Sequence, residues 1–465
     1  MKNRIIKLTA LLLALTLMLG ISLAACSDKS EQESIETETD APFVPAVDNG
    51  EESELYERYA EYEENASLAF KSYSPVDKDA FSYEKADGAV KIVKYVGDES
   101  IVIIPDTIDG AEVTELSEAA FADSPVRAVY IPDTVKKIGK GAFANCTSLS
   151  TLRVPFVGDG GENGFIGYIF GANEPDANAV ALPPSLDMII VGEGSESIAD
   201  EAFKGAKTLS AVVLSDNVKK IGKLAFYQCV DLVYFSFGGV VEIDEYAFAY
   251  CKALYNIDIS SVTNITKGAF YSCTALNSIT LSLSKGDYLG RIFGADSPEY
   301  NDELVPQSLR KVTVAEGCKN IPARAFYSCQ YLTEVNLPNS LESVGIRALY
   351  ACRSLVKVTI PDNVRIICDD AFFGCDNLSE LTLGSSLEII SMQAFFGCEE
   401  LKSVKIPKSL KEIRASAFYG CKSLVYVDMS EITNGVIIAS DAFYNCPRLS
   451  PVDYSRATVN DEYFK

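Results

Sequence analysis

The chain has 465 residues, with 65 acidic residues against 41 basic ones, a net charge of −24 and no histidine. The acidic balance argues against nucleic acid as a partner, because phosphate binding needs clustered positive charge, and against adhesion to anionic lipid. Without histidine, the commonest general base and the commonest ligand of catalytic zinc are absent. We therefore predict a protein that is not an enzyme and has no catalytic residues, no metal and no cofactor.

Residues 1–25 have the features of an export signal. Basic residues precede an apolar run that ends in Leu-Ala-Ala-Cys at Cys26. This ending resembles the lipobox of bacterial lipoprotein signal peptides, in which the cysteine receives diacylglycerol and becomes the new N-terminus. We expect lipidation at Cys26 and an extracytoplasmic protein that is held to the membrane by its lipid alone. The alternatives are an ordinary signal peptide cut after Ala25 and a transmembrane anchor, for which the apolar run is short.

Residues 26–70 are predicted to be an acidic tether. From Ser27 to Ala69 there are fourteen acidic residues and two basic ones, a net charge of −12 and half the charge of the chain. Like charges repel and few apolar residues are present, so the first half should be extended. From Glu51 to Phe70 the partly helical spacing of leucine and tyrosine is compatible with a short helix. We favour a solvated spacer without a specific partner.

Residues 71–115 are predicted to be an N-terminal capping β region. Val90 to Tyr95 and Ile101 to Ile104 read as strands, with Gly88 and Gly97 in turns. A β-hairpin formed here would cover the open end of the first coil, which every repeat protein has to protect.

Residues 116–455 repeat the motif Ala-Phe-x-x-Cys, mostly at intervals of 22 or 23 residues, and residues 456–465 are left as a C-terminal tail. Self-similarity at this period marks a solenoid, in which each unit buries its apolar face only against its neighbours. Leu349 replaces phenylalanine in one copy, and Phe121 and Phe203 lack the cysteine. The segment between motifs, Leu-x-x-Leu-x-Leu, predicts a strand with apolar residues inward and polar residues outward.

Two gaps in the period indicate insertions at residues 171–185 and 294–308. Phe170 and Phe293 occupy the missing motif positions, and each lies 33 residues before the next phenylalanine, which is one repeat plus ten residues. The chain then has about fourteen coils, and at roughly 4.8 Å per coil the solenoid is about 65 Å long. The insertions leave the same point of the coil, so they should project from one side.

The repeat resembles the BspA-type leucine-rich repeats of bacterial surface proteins. The family's motif, Leu-x-x-Leu-x-Ile-Pro-x-x-Val-x-x-Ile-Gly-x-x-Ala-Phe-x-x-Cys, is present almost whole from Leu332 to Cys352 and from Val129 to Cys146. The resemblance covers Phe81 to Leu449 and implies a leucine-rich-repeat solenoid of parallel β-strands with short helical or irregular turns. It also implies surface adhesion, with a host matrix protein, a glycan or another bacterial surface protein as the partner. We expect the protein to be a monomer.

Ten cysteines share one position of the repeat: Cys146, Cys229, Cys251, Cys273, Cys329, Cys352, Cys375, Cys398, Cys421 and Cys446. In adjacent coils they should stack about 5 Å apart, which permits a disulfide by distance, but parallel Cβ vectors suit one poorly. We expect small buried thiols instead.

Exposed residues of the coils are the first candidates for recognition. An aromatic stripe follows the motif phenylalanine: Tyr227, Tyr271, Tyr327, Tyr350, Phe373, Phe396, Tyr419 and Tyr444. Its rings either pack on each other, which we favour, or stack on sugars. The outward strand positions should form a concave binding sheet: Tyr130, Arg153, Tyr234, Asn256, Asp258, Glu334, Lys357, Glu380, Lys405, Tyr426 and Asp428. The alternating charges of Glu334, Lys357 and Glu380 fit cross-strand pairing.

The two insertions are the best candidates for specificity, because long loops on a rigid scaffold often carry recognition. Their candidate residues are Asn173, Glu174, Asp176, Asp296, Glu299, Tyr300 and Asp302. A decoration without any ligand is an equal alternative. Calcium at the acidic second insertion is less favoured, since the spacing of the acids matches no known calcium loop.

Together these features predict a membrane-tethered surface lipoprotein whose solenoid binds a macromolecule or glycan. The alternatives are a structural role in the cell envelope without a soluble ligand and, less favoured, a carboxylate-dependent enzyme.

Overall fold

The computed structural model describes residues 54–60, 70, 73–433 and 435–460. The predicted signal peptide, Cys26 and most of the tether lie outside the described residues. The described chain is a parallel β-solenoid of about 16 turns with little helix. Among these residues, no helix is long and apolar enough to cross a membrane.

Helical segments are few in the described part of the chain. They are α1 (54–60), the single helical residue Phe70, α2 (Asn178–Ala181) and α3 (Asn301–Leu304). Single 3₁₀ turns cover Lys78–Ala80, Ile166–Phe170, Pro175–Ala177, Leu289–Phe293, Pro298–Tyr300 and Tyr454–Arg456.

The strands in chain order are β1 (Phe81–Ala86), β2 (Ala89–Tyr95), β3 (Ile101–Ile103), β4 (Thr107–Ile108), β5 (Ala111–Leu116), β6 (Ala128–Tyr130), β7 (Lys137–Ile138), β8 (Thr151–Val154), β9 (Met188–Val191), β10 (Ser197–Ile198), β11 (Ala211–Leu214), β12 (Lys220–Ile221), β13 (Tyr234–Ser236), β14 (Glu242–Ile243), β15 (Asn256–Ile259), β16 (Asn264–Ile265), β17 (Ser278–Leu281), β18 (Lys311–Val314), β19 (Asn320–Ile321), β20 (Glu334–Asn336), β21 (Ser343–Val344), β22 (Lys357–Thr359), β23 (Ile366–Ile367), β24 (Glu380–Thr382), β25 (Ile389–Ile390), β26 (Ser403–Lys405), β27 (Glu412–Ile413), β28 (Tyr426–Asp428), β29 (Val436–Ala439) and β30 (Ala457–Asn460).

Two faces of parallel strands run along the solenoid. The long-strand face contains β3, β6, β8, β9, β11, β13, β15, β17, β18, β20, β22, β24, β26 and β28, hydrogen-bonded in groups of six, six and two. These fourteen strands match the predicted number of coils, and strands of the cap and the C-terminus add further turns. The short-strand face alternates with it, as in the series β10, β12, β14 and β16. Outside the two coils with insertions, a coil of the described repeat thus contributes one strand to each face.

Both insertions leave the long-strand ladder intact. Thr151 of β8 is paired with Met188 of β9 across the first insertion, and Ser278 of β17 with Lys311 of β18 across the second. The extra residues therefore loop out of the coil without changing its register. The short-strand face, in contrast, is interrupted between β7 and β10 and between β16 and β19, in the same two coils.

The N-terminal cap contains a hairpin, but its strands differ from the predicted ones. β1 and β2 pair antiparallel around Asp87 and Gly88, whose φ angles of 53° and 78° are those of a type I′ turn. β2 then pairs in parallel with β5 and so continues the solenoid. The segment starting at Ile101, predicted to be part of the cap, is instead β3, the first strand of the long-strand face. The Asp-Gly turn explains this, because it joins β2 to the strand before it.

The C-terminal tail prediction is corrected as well. Residues 457–460 form β30, which pairs in parallel with β29 and extends the short-strand face. On the other face, the N–H of Ser450 donates to the carbonyl of Val425 beside β28 at 3.0 Å, and Pro451 follows without an N–H. A proline at this position stops the ladder and protects the last edge strand from further pairing.

The motif phenylalanines form the core. Phe203, Phe226, Phe248 and Phe270 stack with ring centroids 4.8–5.1 Å apart, and all four are fully buried. At the N-terminal end Tyr95 of the hairpin stacks on Phe121 at 5.1 Å and so closes the column. The ring spacing is close to the separation of neighbouring strands, so one coil repeats the packing of the next.

The backbone of most motifs is a tight turn with two left-handed residues. In one copy Gln393 has a φ angle of 54° and Gly397 a φ angle of 71°, on either side of Phe395. Between them the N–H of Phe395 donates to the carbonyl of Ala417 in the following coil at 2.7 Å. The turn therefore points the phenylalanine inward while its backbone bonds to the next coil.

The motif cysteines are free thiols, as predicted, and they have a hydrogen-bonding role that the sequence did not reveal. Nine of the ten donate to the carbonyl of the motif phenylalanine or leucine one coil earlier, at 3.0–3.4 Å. The thiol of Cys398, for example, donates to Phe372. A small apolar side chain that is also a weak donor fits a site with one buried carbonyl.

The buried thiols predict a loss of stability at alkaline pH. Burial raises the pKa of Cys375 and Cys398 well above the ordinary value, so the folded thiols stay protonated while those of the unfolded chain ionise above about pH 8.5. Their contribution is complete below that pH and falls as pH rises towards the folded pKa. At pH 10 the loss is about 2 kcal/mol per thiol.

This can be measured as the melting temperature at pH 7 and pH 10 by circular dichroism. The double variant Cys375→Ala/Cys398→Ala should lose fewer degrees between the two pH values than the parent chain. An equal loss would contradict the assignment of these thiols as protonated core groups.

Candidate functional site

The long-strand face is divided into two halves of different chemistry. From β3 to β13, which we call the apolar half, Arg153 is the only charged residue among the outward positions: Ile101, Ile103, Ala128, Tyr130, Thr151, Arg153, Met188, Ile190, Ala211, Val213, Tyr234 and Ser236. From β15 to β28, the polar half, the outward positions are almost all polar: Asn256, Asp258, Ser278, Thr280, Lys311, Thr313, Glu334, Asn336, Lys357, Thr359, Glu380, Thr382, Ser403, Lys405, Tyr426 and Asp428.

The apolar half is covered by the chain's own N-terminal segment. Tyr59 of α1 is only 1% exposed, and its hydroxyl donates to Asp187 Oδ2 at 2.6 Å. The ring of Tyr56 lies 5.3 Å from that of Tyr234. The described end of the predicted tether is therefore a packed helix and not a solvated spacer, because its tyrosines bury apolar surface that the strands leave open.

Two predicted binding residues of the apolar half are buried. Tyr234 and Arg153 are 4% and 7% exposed, although their strand positions point outward. The guanidinium of Arg153 lies 4.7 Å from the ring centre of Tyr130, donates to the Ile131 carbonyl and pairs with Asp133. Its charge is satisfied inside the protein, so it does not offer a contact to a partner.

The polar half is accessible along its length. None of its outward residues is buried, and those from Lys357 to Tyr426 are exposed. Ion pairs join neighbouring strands: Lys311 with Glu334 at 2.9 Å and Lys357 with Glu380 at 3.5 Å. The predicted charge pairing is present, but Glu334 pairs with the preceding strand and not with Lys357. Exposed pairs of this kind contribute less than about 1 kcal/mol, which leaves their groups available to a partner.

The two insertions have the same internal structure. In each, a 3₁₀ turn beginning at proline leads into a single helical turn, α2 or α3. The N–H of Gly167 donates to Asn178 Oδ1 at 2.8 Å, and the N–H of Gly290 donates to Asn301 Oδ1 at 2.9 Å. Both asparagines are fully buried. They pin the insertion to the coil, a role that the sequence analysis missed.

Close packing explains why glycine faces each asparagine. A Cβ atom on Gly167 would lie 2.4 Å from Asn178 Oδ1, and one on Gly290 would lie 2.3 Å from Asn301 Oδ1. The glycine, proline and asparagine recur at identical spacing in the two insertions. That shared spacing is the signal by which the pin could have been found.

Several predicted recognition residues of the insertions bind neighbouring coils. Asp176 pairs with Lys204 at 2.7 Å, and Glu299 pairs with Arg324 at 2.6 Å. Asn173 accepts a hydrogen bond from Lys140, and Asp296 pairs with Lys267 at the equivalent place. These contacts hold the insertions against the solenoid. Glu174, Tyr300 and Asp302 lie on the exposed side of the insertions.

The aromatic stripe packs on itself, as favoured from the sequence. From Tyr327 to Tyr419 five consecutive rings are parallel, with centroids 4.7–4.9 Å apart. Their faces are occupied by neighbouring rings, so a sugar cannot stack between them. Tyr444 ends the column and is 66% exposed. Among the described residues no group of three or more His, Cys, Asp or Glu side chains is placed to hold a metal ion.

Comparisons with known proteins identify the family of the repeat. The profile of the BspA-type leucine-rich repeat region, in six copies, matches residues 106–162, 178–292, 305–425 and 344–465. No curated protein matches the chain. A leucine-rich repeat protein from Bacteroides ovatus is similar at 27% identity, covering 72% of this chain and 95% of that one, with a TM-score of 0.34. A leucine-rich cell surface protein from Faecalibacterium prausnitzii is 24% identical, covering 84% and 97%, with a TM-score of 0.27.

The buried asparagine of the second insertion generates a test. Replacing Asn301 by alanine leaves the N–H of Gly290 and the carbonyl of Tyr327 without their partner, which costs about 1–3 kcal/mol. We expect faster amide exchange in residues 294–308 by mass spectrometry and a lower melting temperature. The exposed neighbour variant Asp302→Ala is the control and should change neither. Unchanged exchange in Asn301→Ala would show that the insertion does not depend on this side chain.

Proposed function

Because the chain belongs to the BspA-type leucine-rich repeat family, we propose that it is a surface lipoprotein whose solenoid binds a protein or glycan in adhesion to host or microbial surfaces. Proteins of this fold are typically binding scaffolds and not enzymes. The lipid at Cys26 would hold the protein to the membrane, and the acidic residues 27–53 would separate the solenoid from the bilayer.

The accessible polar half of the long-strand face is the observation that carries this proposal. Eight strands, in one sheet of six and one of two, present side chains along the same face, which provides an extended surface. The apolar half is covered by α1, so the polar half is the larger open part of this face among the described residues. The insertions precede β9 and β18, so their exposed residues flank the same face. We assign the partner to the polar half and place Tyr300 and Asp302 at its margin, whereas we place Glu174 beside the apolar half.

A binding screen with matched charge reversals tests this assignment. The mature protein on beads is offered matrix proteins, mucins, glycans and bacterial surfaces. For any saturable ligand, Lys357→Glu should weaken binding about tenfold, since a central contact is worth more than about 1.4 kcal/mol. The control is Lys411→Glu on the short-strand side. Both lysines pair with a glutamate of the neighbouring coil and are similarly exposed, at 62% and 66%.

The outcomes of this screen separate the competing functions. If Lys357→Glu and Lys411→Glu weaken ligand binding equally, the assignment of the binding site to the polar half is contradicted. No saturable binding to any surface would favour a structural role in the envelope. Release of product from an offered glycan would refute the assignment as a non-enzyme.

Anchoring is tested by the variant Cys26→Ser. We expect the parent chain in the membrane fraction of the producing bacterium and labelled by an alkyne fatty acid, and the variant without label. A parent chain that is secreted in soluble form would point to an ordinary signal peptide. An unlabelled chain that stays in the membrane would point to a protein anchor.

A further inference from the structure

The helix α1 packs on the long-strand face with one side and exposes its other side to solvent. Its tyrosines at positions 56 and 59, one helical turn apart, face the strands, while Glu54 and Glu57 are exposed. Tyr59 is almost completely buried, and its ring centre lies 6.4 Å from that of Tyr234. Burial and the neighbouring Asp187 both raise the pKa of Tyr59, so its hydroxyl remains a hydrogen-bond donor over the physiological range.

The described contacts of the N-terminal segment reach both ends of the apolar half. Tyr56 also contacts Tyr255 beside β15, with ring centres 6.2 Å apart, at the border with the polar half. Further along the chain the ring of Phe70 lies 5.6 Å from that of Tyr130 on β6. The N–H of Val76 then donates to the Ile103 carbonyl on β3 at 3.0 Å. The contacts therefore run from β15 back to β3, against the direction in which the coils follow one another.

The surface below the helix is apolar and deeply buried. Ala211 and Met188, at outward positions of β11 and β9, are 0% and 2% exposed. Their equivalents in the polar half, such as Lys357 and Glu380, are open to solvent. Without the N-terminal segment the solenoid would expose a continuous apolar patch, which in soluble proteins marks an interaction site.

An amphipathic surface helix such as α1 draws most of its stability from the surface on which it packs. It is held by the contacts of its two tyrosines with the face and by its covalent connection, which supplies a high local concentration. Such a contact has two states, docked and released, and a second segment of the same chemistry can compete for the face.

We propose that the apolar half of the long-strand face is a docking site for a helical segment with two tyrosines one turn apart, and that α1 is its built-in occupant. A protein partner that presents such a segment displaces α1 and gains the apolar half, and its remaining surface reaches the adjoining polar half. The proposal deepens the proposed function and rests on it in assigning the partner to this face. It commits to a peptide ligand, and a glycan is not expected to open the apolar half.

The test uses the full chain and a fluorescent peptide with the sequence of residues 51–76 as the probe. In the variant Tyr56→Ala/Tyr59→Ala the attached helix no longer competes, so the peptide should bind at least tenfold more tightly than to the parent chain, measured by fluorescence anisotropy. Glu54→Gln/Glu57→Gln, changed on the exposed side of the same helix, should bind the peptide as weakly as the parent does. A peptide carrying the two alanines should not bind the opened variant.

A second variant guards against loss of folding. Tyr59→Phe keeps the ring and removes only the hydrogen bond to Asp187, so it should give a smaller gain in peptide binding with an unchanged circular dichroism spectrum. Equal binding of the peptide to the parent and to the opened variant would overturn the proposal, and so would no binding to an opened variant that retains the parent's spectrum.

The two proposals fail separately, because the peptide test needs no natural ligand. Peptide binding without any ligand in the surface screen would leave the docking site standing alone. If a ligand from the surface screen binds in a manner that depends on Lys357, but the opened variant does not bind the peptide, the docking site is refuted and the proposed function remains in place.

Discussion

The stacking of each coil on the next is the interaction on which the whole structure depends. The ring centres of neighbouring motif phenylalanines such as Phe372 and Phe395 lie 5.1 Å apart, close to the spacing of the strands. The hydrophobic core is therefore a column along the solenoid, in contrast to the single compact core of a globular domain. The thiols of nine motif cysteines and the backbone of most motif turns also bond to a neighbouring coil. No coil can bury its own apolar face, and therefore both ends need protection. Tyr95 closes one end, and Pro451 with β30 limits the other.

The same stacking organises the surface. A residue at a given position of the coil repeats about every 5 Å, so side chains of one kind form rows along the solenoid. Rings form a parallel column from Tyr327 to Tyr419, and lysine and glutamate form ion pairs between neighbouring strands. The two insertions leave this order undisturbed, because they loop out between strands that stay paired in register. Function can therefore be varied by changing outward residues while the core stays constant.

The division of the long-strand face follows from this freedom. Outward residues do not hold the coils together, so they can be apolar in the first six strands and polar in the remaining eight. The apolar part requires a cover, and α1 with Phe70 supplies it. The acidic N-terminal region is thus divided: its described end belongs to the packed body. The accessible polar half thus lies next to a covered apolar surface on the same face.

Much of this could be predicted from the sequence because the repeat is a local signal. The spacing of Ala-Phe-x-x-Cys alone determined the solenoid, the burial of Phe and Cys and the position of the two insertions, since each coil meets only its neighbours. Only the tertiary structure decided the features that depend on contacts between distant or differently folded parts of the chain. These are the pairing of β1 with β2, the thiol-to-carbonyl hydrogen bonds, and the attachment of the insertions by Asn178 and Asn301. They also include the packing of α1 on strands more than a hundred residues away, as in the hydrogen bond from Tyr59 to Asp187. The acidic segment that contains Tyr56 and Tyr59 shows no sequence repeat from which this packing could be predicted. The surface that it covers forms only when the coils have stacked on one another.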